Sequence, residues 1–210
     1  MKLYLLLFVL LGALVSAKRP NILFILTDDQ APHTLSSYGN SVCQTPNIDK
    51  LAASGMVLDR AYHMGSMSGA VCSPSRTMIM SGRTLWHLPS RGKKHLNKEK
   101  GKVSGVDILN NTIPAVFNRA GYETFRTCKN GNSYSLANAL FQIVKDKSCR
   151  NADEDSGSQW HGRQVLNYLE ERSVRKEEKP FMIYFGFSHP HDARTGRDDL
   201  LAKYGARNVK

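Results

Sequence analysis

The chain has 210 residues, 41% hydrophobic and 22% charged, with 29 Lys+Arg against 18 Asp+Glu and a formal net charge of +11. Those fractions exclude a disordered chain, a collagen-like repeat and a multi-span membrane protein, and the length suits one domain or slightly more. Four cysteines are too few for a disulfide scaffold, and the basic balance points to an anionic partner without naming it.

Residues 1–17 read as an address. Lys2 precedes an almost wholly apolar run from Leu3 to Val15, and Ser16-Ala17 supply small residues before Lys18. That is the pattern of a cleaved secretory signal, and the run is too short to span a bilayer comfortably. The expected domain plan is therefore a signal peptide over 1–17 and a mature, exported part over 18–210.

Residues 21–27 (NILFILT) form a short apolar run closed by Asp28-Asp29, as expected of a strand in a sheet covered on both faces. Residues 46–53 (PNIDKLAA) predict a helix with Thr45 as N-cap, Pro46 in its first turn and Gly55 after its end. Residues 56–60 suggest a short strand. Residues 74–80 predict a helix with Pro74 in its first turn. The Lys-rich stretch 93–102 reads as a solvated loop. A capped helix over 112–120 stops at Gly121, and a strand follows over 122–127. Polar residues 151–158 read as a loop. Val165, Leu166 and Leu169 place a helix over 160–172, and residues 181–187 (FMIYFGF) read as a second strongly apolar strand. Alternation of this kind favours an α/β fold with a largely parallel sheet. In such folds binding groups gather at the carboxyl ends of strands. Asp28-Asp29, Lys129 and the pair His189 and His191 all lie just past predicted strands.

Two adjacent carboxylates repel each other unless a proton or cation relieves them, and oxygen ligands favour Ca²⁺ or Mg²⁺. A polar turn capped by one Asp would explain Asp28-Asp29 equally well. Cys72 stands at the start of the predicted 74–80 helix, where free N–H groups and the positive dipole end suit an anion and lower a thiol pKa. Arg76, one turn in, can reach back to the same anion with a forked set of donors. The alternative for Cys72 is a buried structural cysteine.

The stretch 70–83 (AVCSPSRTMIMSGR) resembles the signature of the formylglycine-dependent sulfatases, Cys-x-Pro-Ser-Arg followed by Thr/Ser-Gly-Arg. Cys72, Pro74, Ser75, Arg76, Ser81, Gly82 and Arg83 fill every position. Residues 20–30 (PNILFILTDDQ), 45–62, 120–131 and 179–194 are also similar to that family, so the resemblance covers essentially all of the mature chain. It implies an alkaline-phosphatase-like α/β sandwich with a largely parallel central sheet. It also implies a sulfuric ester hydrolase in which Cys72 becomes formylglycine, installed by a formylglycine-generating enzyme during maturation. Asp28, Asp29 and the modified Cys72 would hold Ca²⁺, with Mg²⁺ as the alternative. Arg76 would hold the formylglycine, and Lys129 and His191 would contact the sulfate, with His189 as the competing histidine.

The resemblance further implies a sulfated carbohydrate as substrate, a periplasmic or secreted location, no nucleic-acid partner and no membrane insertion after signal cleavage. The alternatives are a phosphonate monoester or phosphodiester hydrolase with the same nucleophile, and an inactive, truncated glycan-binding protein. Many family members read Gly-Lys-x-His where this chain reads Cys128-Lys129-Asn130-Gly131. Asn132 or His161 could replace the lost donor. The family's later metal ligands, second sulfate-binding lysine and C-terminal subdomain find no match, which reads as a domain cut short. An exported chain can carry one disulfide, for which Cys128–Cys149 is the preferred pairing.

Overall fold

The computed structural model describes residues 18–64, 71–87, 102–103, 106–107, 109–130, 134–192 and 195–207. The expected signal over 1–17 and most of the Lys-rich stretch lie outside them. Among the described residues the strands are β1 (Ile22–Leu26), β2 (Lys102–Val103), β3 (Val106–Asp107), β4 (Glu123–Cys128), β5 (Ile143–Val144) and β6 (Phe181–Gly186). The helices are α1 (Pro46–Ala53), α2 (Cys72–Ser81), α3 (Ile113–Arg119), α4 (Ser135–Asn138), α5 (Ser158–Val174) and α6 (Asp198–Lys203).

The main sheet is wholly parallel, in the order β1-β6-β4-β5. The last strand in sequence, β6, therefore inserts between β1 and β4, pairing Leu26 with Gly186 and Gly186 with Cys128. The carboxyl ends of three strands are thus brought side by side. β2 and β3 form a separate antiparallel pair.

Helices cover both faces of this sheet. Alternate residues of β4 and β6 serve opposite sides, because strand side chains have a period of two. Cys128, Met182 and Tyr184 join Tyr122, Tyr134, Phe141 and Met80 on the side of α2, α3 and α4. Phe125, Ile183 and Phe185 pack on Val165 and Tyr168 of α5 on the other. Burial on both sides explains why β6 reads as a continuous apolar run.

β4 is equally buried, yet its sequence is ETFRTC. Each polar member has a partner. Glu123 pairs with Arg172 at 3.2 Å and Arg175 at 3.1 Å. Thr124 donates to Asn118 Oδ1, Arg126 reaches Asp146 Oδ2 at 2.9 Å, and Thr127 bonds His161 Nδ1 at 2.7 Å.

Several expectations change. β1 has one covered face only: Ile22, Phe24 and Leu26 pack inward, whereas Leu23 is 49% and Ile25 46% exposed, because α5 lies over the central strands. Residues 56–60 form no strand, and Met56 is 85% exposed. α2 starts two residues early, at Cys72 itself. Pro74 is tolerated because N–H groups of the first turn have no intrahelical acceptor. Gly82 at φ 62° and Gly121 at φ 80° end α2 and α3 in the left-handed region that favours glycine. Thr45 and Thr112 stand at their N-caps without bonding the helix ends; Thr45 Oγ1 instead donates to Asp49 and Thr112 Oγ1 to Leu109 O. α4, β5 and α6 have no counterpart in the sequence reading.

The Glu123–Arg172 pair ties the back of β4 to the last turn of α5. Arg172→Ala is expected to lower stability by about 1–3 kcal/mol in urea denaturation, since the buried Glu123 carboxylate is left with the half-exposed Arg175 as its only cation among the described residues.

Candidate active site

The site lies at the carboxyl edge of β1, β6 and β4, across from the first turn of α2. Asp28 follows β1 and is 3% exposed; its backbone N–H donates to His189 O at 3.0 Å, locking the β1 end to the β6 end. Its carboxylate forms an ion pair with Lys129, which follows β4 and is 1% exposed. Arg76, also 1% exposed, brings a guanidinium nitrogen 3.8 Å from the other Asp28 oxygen. One buried carboxylate is thus flanked by two buried cations. Lys129 and Arg76 come from elements far apart in the chain and are held by a charge that each needs.

Asp29 adopts φ 63°, a left-handed conformation that Asp tolerates better than most residues, and turns its carboxylate outward. There it lies 3.8 Å from His191 Nε2 and 3.7 Å from Cys72 Sγ. Asp28, Cys72 and His191 each offer a donor atom, and the three atoms lie within 4.8 Å of one another. The structure therefore brings together Asp28, Asp29, Cys72, Arg76, Lys129 and His191. His189 points elsewhere: its Nδ1 bonds Ser158 Oγ at 2.7 Å on α5.

Two carboxylates, an imidazole and residue 72 in one cluster suit a cation. The fit to a hard cation would be better if residue 72 presented oxygen rather than sulfur, because Ca²⁺ and Mg²⁺ prefer oxygen ligands.

The expected lowering of the Cys72 pKa does not occur. Burial, then a hydrogen bond and the charge from Asp28, push the thiol up to about 11; Asp29 adds to this and Lys129 opposes it. The partial charge of a helix N-terminus is outweighed by burial of the sulfur and then by the two nearby carboxylates. An unmodified Cys72 is therefore a neutral thiol.

The Cys128–Cys149 disulfide is also absent, all four cysteines being free. Cys128 Sγ accepts from Arg76 at 2.8 Å, while Cys149 sits by Ser188, whose Oγ accepts its N–H. His161 does not stand in for the donor missing at Gly131. It is fully buried on α5 against Thr127, and Asn132 lies outside the described residues. His33, His63 and His87 are exposed.

The sequence reading missed the seat of Arg76. It consists of Cys128 Sγ and of Phe187 O, the latter accepting at 3.2 Å, with Gly186 leaving room beside them. An isolated glycine inside the FMIYFGF run was the available signal, since glycine within a strand often marks a close approach.

A family profile described as Sulfatase matches residues 20–208. The chain belongs to the sulfatase family. An N-acetylglucosamine-6-O-sulfatase of Bacteroides thetaiotaomicron is 34% identical over 110 residues, covering 51% of this chain and 17% of that protein. An N-acetylgalactosamine-6-sulfatase of Canis lupus familiaris is 32% identical over 116 residues, covering 53% and 22%. The chain thus spans about a fifth of the length of these sulfatase relatives.

Among solved structures, one complex with D-glucosamine-2-N,6-O-disulfate, described as that protein's substrate, aligns with TM-score 0.58 at 24% identity. It covers 83% of this chain and 35% of the other. An alkaline phosphatase superfamily protein from Vibrio parahaemolyticus aligns with TM-score 0.61 at 18% identity, covering 87% and 43%. These likenesses establish the alkaline-phosphatase-like α/β fold of the sulfatase family for the part described.

Burial lowers the His161 pKa from 6.5 to about 4, against a hydrogen bond to the Lys147 backbone that opposes it. The folded state holds this imidazole neutral, and the unfolded chain takes up its proton first. Its contribution is therefore complete above about pH 6.5 and drains as pH falls towards 4. Urea midpoints of wild type are expected to fall across that window by the equivalent of about 3 kcal/mol more than those of His161→Gln.

Proposed function

We propose that this chain is the nucleophile-bearing part of an exported sulfatase that removes sulfate from a sulfated carbohydrate. The observation that carries the reading is the placement of Cys72. It opens α2, within 4.8 Å of Asp28 and His191 donor atoms, beside the buried Lys129–Asp28 pair. The sulfated-sugar assignment rests on the named activities of the relatives and on the disulfated glucosamine of the aligned complex. Export rests on residues 1–17, and no helix among the described residues is long and apolar enough to cross a membrane.

A neutral thiol with pKa about 11 is a poor nucleophile, so the reading needs Cys72 to be converted to formylglycine by a formylglycine-generating enzyme. In its hydrated form that group would supply one hydroxyl to attack sulfur and displace the sugar alcohol, and a second whose deprotonation expels sulfate and restores the aldehyde. Asp28, Asp29 and residue 72 would hold Ca²⁺ or Mg²⁺, with His191 at hand, and the ion would polarise the sulfate oxygens. A hard cation takes about six to eight oxygen ligands. Water or residues outside the described ones would supply the remainder.

The chain's own groups do the rest. Lys129 would neutralise charge on a sulfate oxygen, and its burial would strengthen that attraction. Arg76 holds the neighbouring carboxylate in place. His191 places Nε2 3.8 Å from Asp29 Oδ2, with its side chain 25% exposed. There it would move a proton at the leaving oxygen or at the hydrate, a role that suits an imidazole near neutral pH.

Co-expression with a formylglycine-generating enzyme should convert Cys72 to an aldehyde, detected by mass spectrometry of the peptide spanning 70–77; a fully retained thiol would overturn the reading. On the mature protein, Cys72→Ala is expected to abolish aryl sulfate hydrolysis, and Lys129→Ala to lower kcat by about 100- to 1000-fold. Parallel assays on an aryl phosphonate ester measure the substrate class, with faster phosphonate turnover counting against a sulfatase.

A further inference from the structure

We infer that Cys128 is a positioning residue of this site: its sulfur holds the buried Arg76 guanidinium in the orientation that faces Asp28. The inference rests on the functional reading above only for what the site does, not for the geometry.

Arg76 enters from α2, one turn past Cys72, and is 1% exposed. A guanidinium carries five N–H donors in a rigid fork, and a buried one must find acceptors within the protein. Arg76 Nη1 donates to Cys128 Sγ at 2.8 Å, and Nη2 donates to Phe187 O at 3.2 Å. Nη2 also lies 3.8 Å from Asp28 Oδ1. The three partners come from the ends of β4, β6 and β1. Two contacts define the plane of the fork, and the plane decides which edge meets the carboxylate.

The space for this seat is built. Gly186 and Cys128 are register partners in β6 and β4. A Cβ on Gly186 would stand 2.6 Å from Cys128 Sγ and 2.7 Å from Arg76 Nη1. Those two atoms therefore occupy the volume that a side chain at 186 would fill. The Cys128 side chain is fully buried, which sets this seat apart from bulk water.

Alanine at 128 would leave Nη1 facing a methyl group. The fork would rotate to recover an acceptor and lose its approach to Asp28, leaving that carboxylate to Lys129 alone. Serine would keep an acceptor at the same branch of the side chain. Cys128 acts on the site through the Arg76 guanidinium from which its sulfur accepts, which makes its role positioning rather than chemistry.

The test is nitrogen-15 NMR of the arginine side chains in the full chain, with Arg76→Lys to assign the signal. A seated guanidinium shows separate Nη resonances because rotation about its Nε–Cζ and Cζ–Nη bonds is hindered. Separate Arg76 resonances are expected in wild type and in Cys128→Ser, and a single averaged one in Cys128→Ala. Separate resonances in Cys128→Ala, or an averaged one in wild type, would overturn the inference. If Cys128→Ala fails to melt cooperatively, Cys128→Val, which fills the space without offering an acceptor, takes its place in the comparison with Cys128→Ser.

On an aryl sulfate, with residue 72 converted, Cys128→Ala is expected to lose about 10-fold in kcat with KM within about twofold, and Cys128→Ser to restore it. An unchanged kcat in Cys128→Ala would also overturn it. Absence of turnover in every variant, wild type included, would sink the functional reading while the arginine spectra still decide the role of Cys128.

Discussion

The buried carboxylate of Asp28, held between Lys129 and Arg76, is the interaction on which the site depends. The three side chains are 3%, 1% and 1% exposed, so each charge is stable only because the others are there. Removing one partner of such a cluster leaves an unpaired charge in a poorly solvated place, which is far costlier than losing a surface salt bridge. The cluster also joins four parts of the chain. Asp28 ends β1, Lys129 ends β4, Arg76 belongs to α2, and the Asp28 amide is bonded to His189 beyond β6. Holding these ends together for charge reasons holds Cys72 and His191 together as well.

The strand order serves that arrangement. Because β6 lies between β1 and β4, the acids, the imidazole and the lysine arrive from adjacent strand ends. The core beneath is correspondingly strict. β4 and β6 are buried on both faces, with Phe125 stacked on Tyr168 at 4.4 Å and Phe24 on Tyr184 at 5.5 Å. A further ion pair joins buried Arg126 of β4 to the partly buried Asp146 that follows β5. Its guanidinium lies over the Tyr184 ring at 5.4 Å and the Phe141 ring at 5.9 Å. Polar side chains in β4 are thus matched one by one, while β6 contributes apolar side chains and the Gly186 gap.

Much of this was legible in the chain. The 21–27 and 181–187 runs, the helix opening near Cys72 and the glycine stop at 121 follow from local patterns that the structure keeps. The chemistry at strand ends was legible for the same reason, since a polar residue directly after an apolar strand has few places to go in a parallel sheet. The failures have a common source. Residues 56–60 have strand-like composition but find no strand partner among the described residues. Residues 23 and 25 are apolar yet exposed. The pairing of Cys128 with Cys149 was an inference from export, and Cys128 instead faces an arginine.

By itself the sequence determined the α/β alternation, the placement of Cys72 at a helix start with Arg76 one turn on, and membership in the sulfatase family. These depend on residue spacing within one element, which backbone geometry imposes locally. Only the tertiary structure decided the strand order, the sharing of Asp28 between two cations, the raised pKa of Cys72 and the seat of Arg76. Those properties arise from burial and from charges brought close across the chain: Arg76 meets Cys128 52 residues away and Phe187 111 residues away. A local rule predicted a reactive thiolate at position 72. The folded surroundings, with two carboxylates beside a half-buried sulfur, keep it protonated.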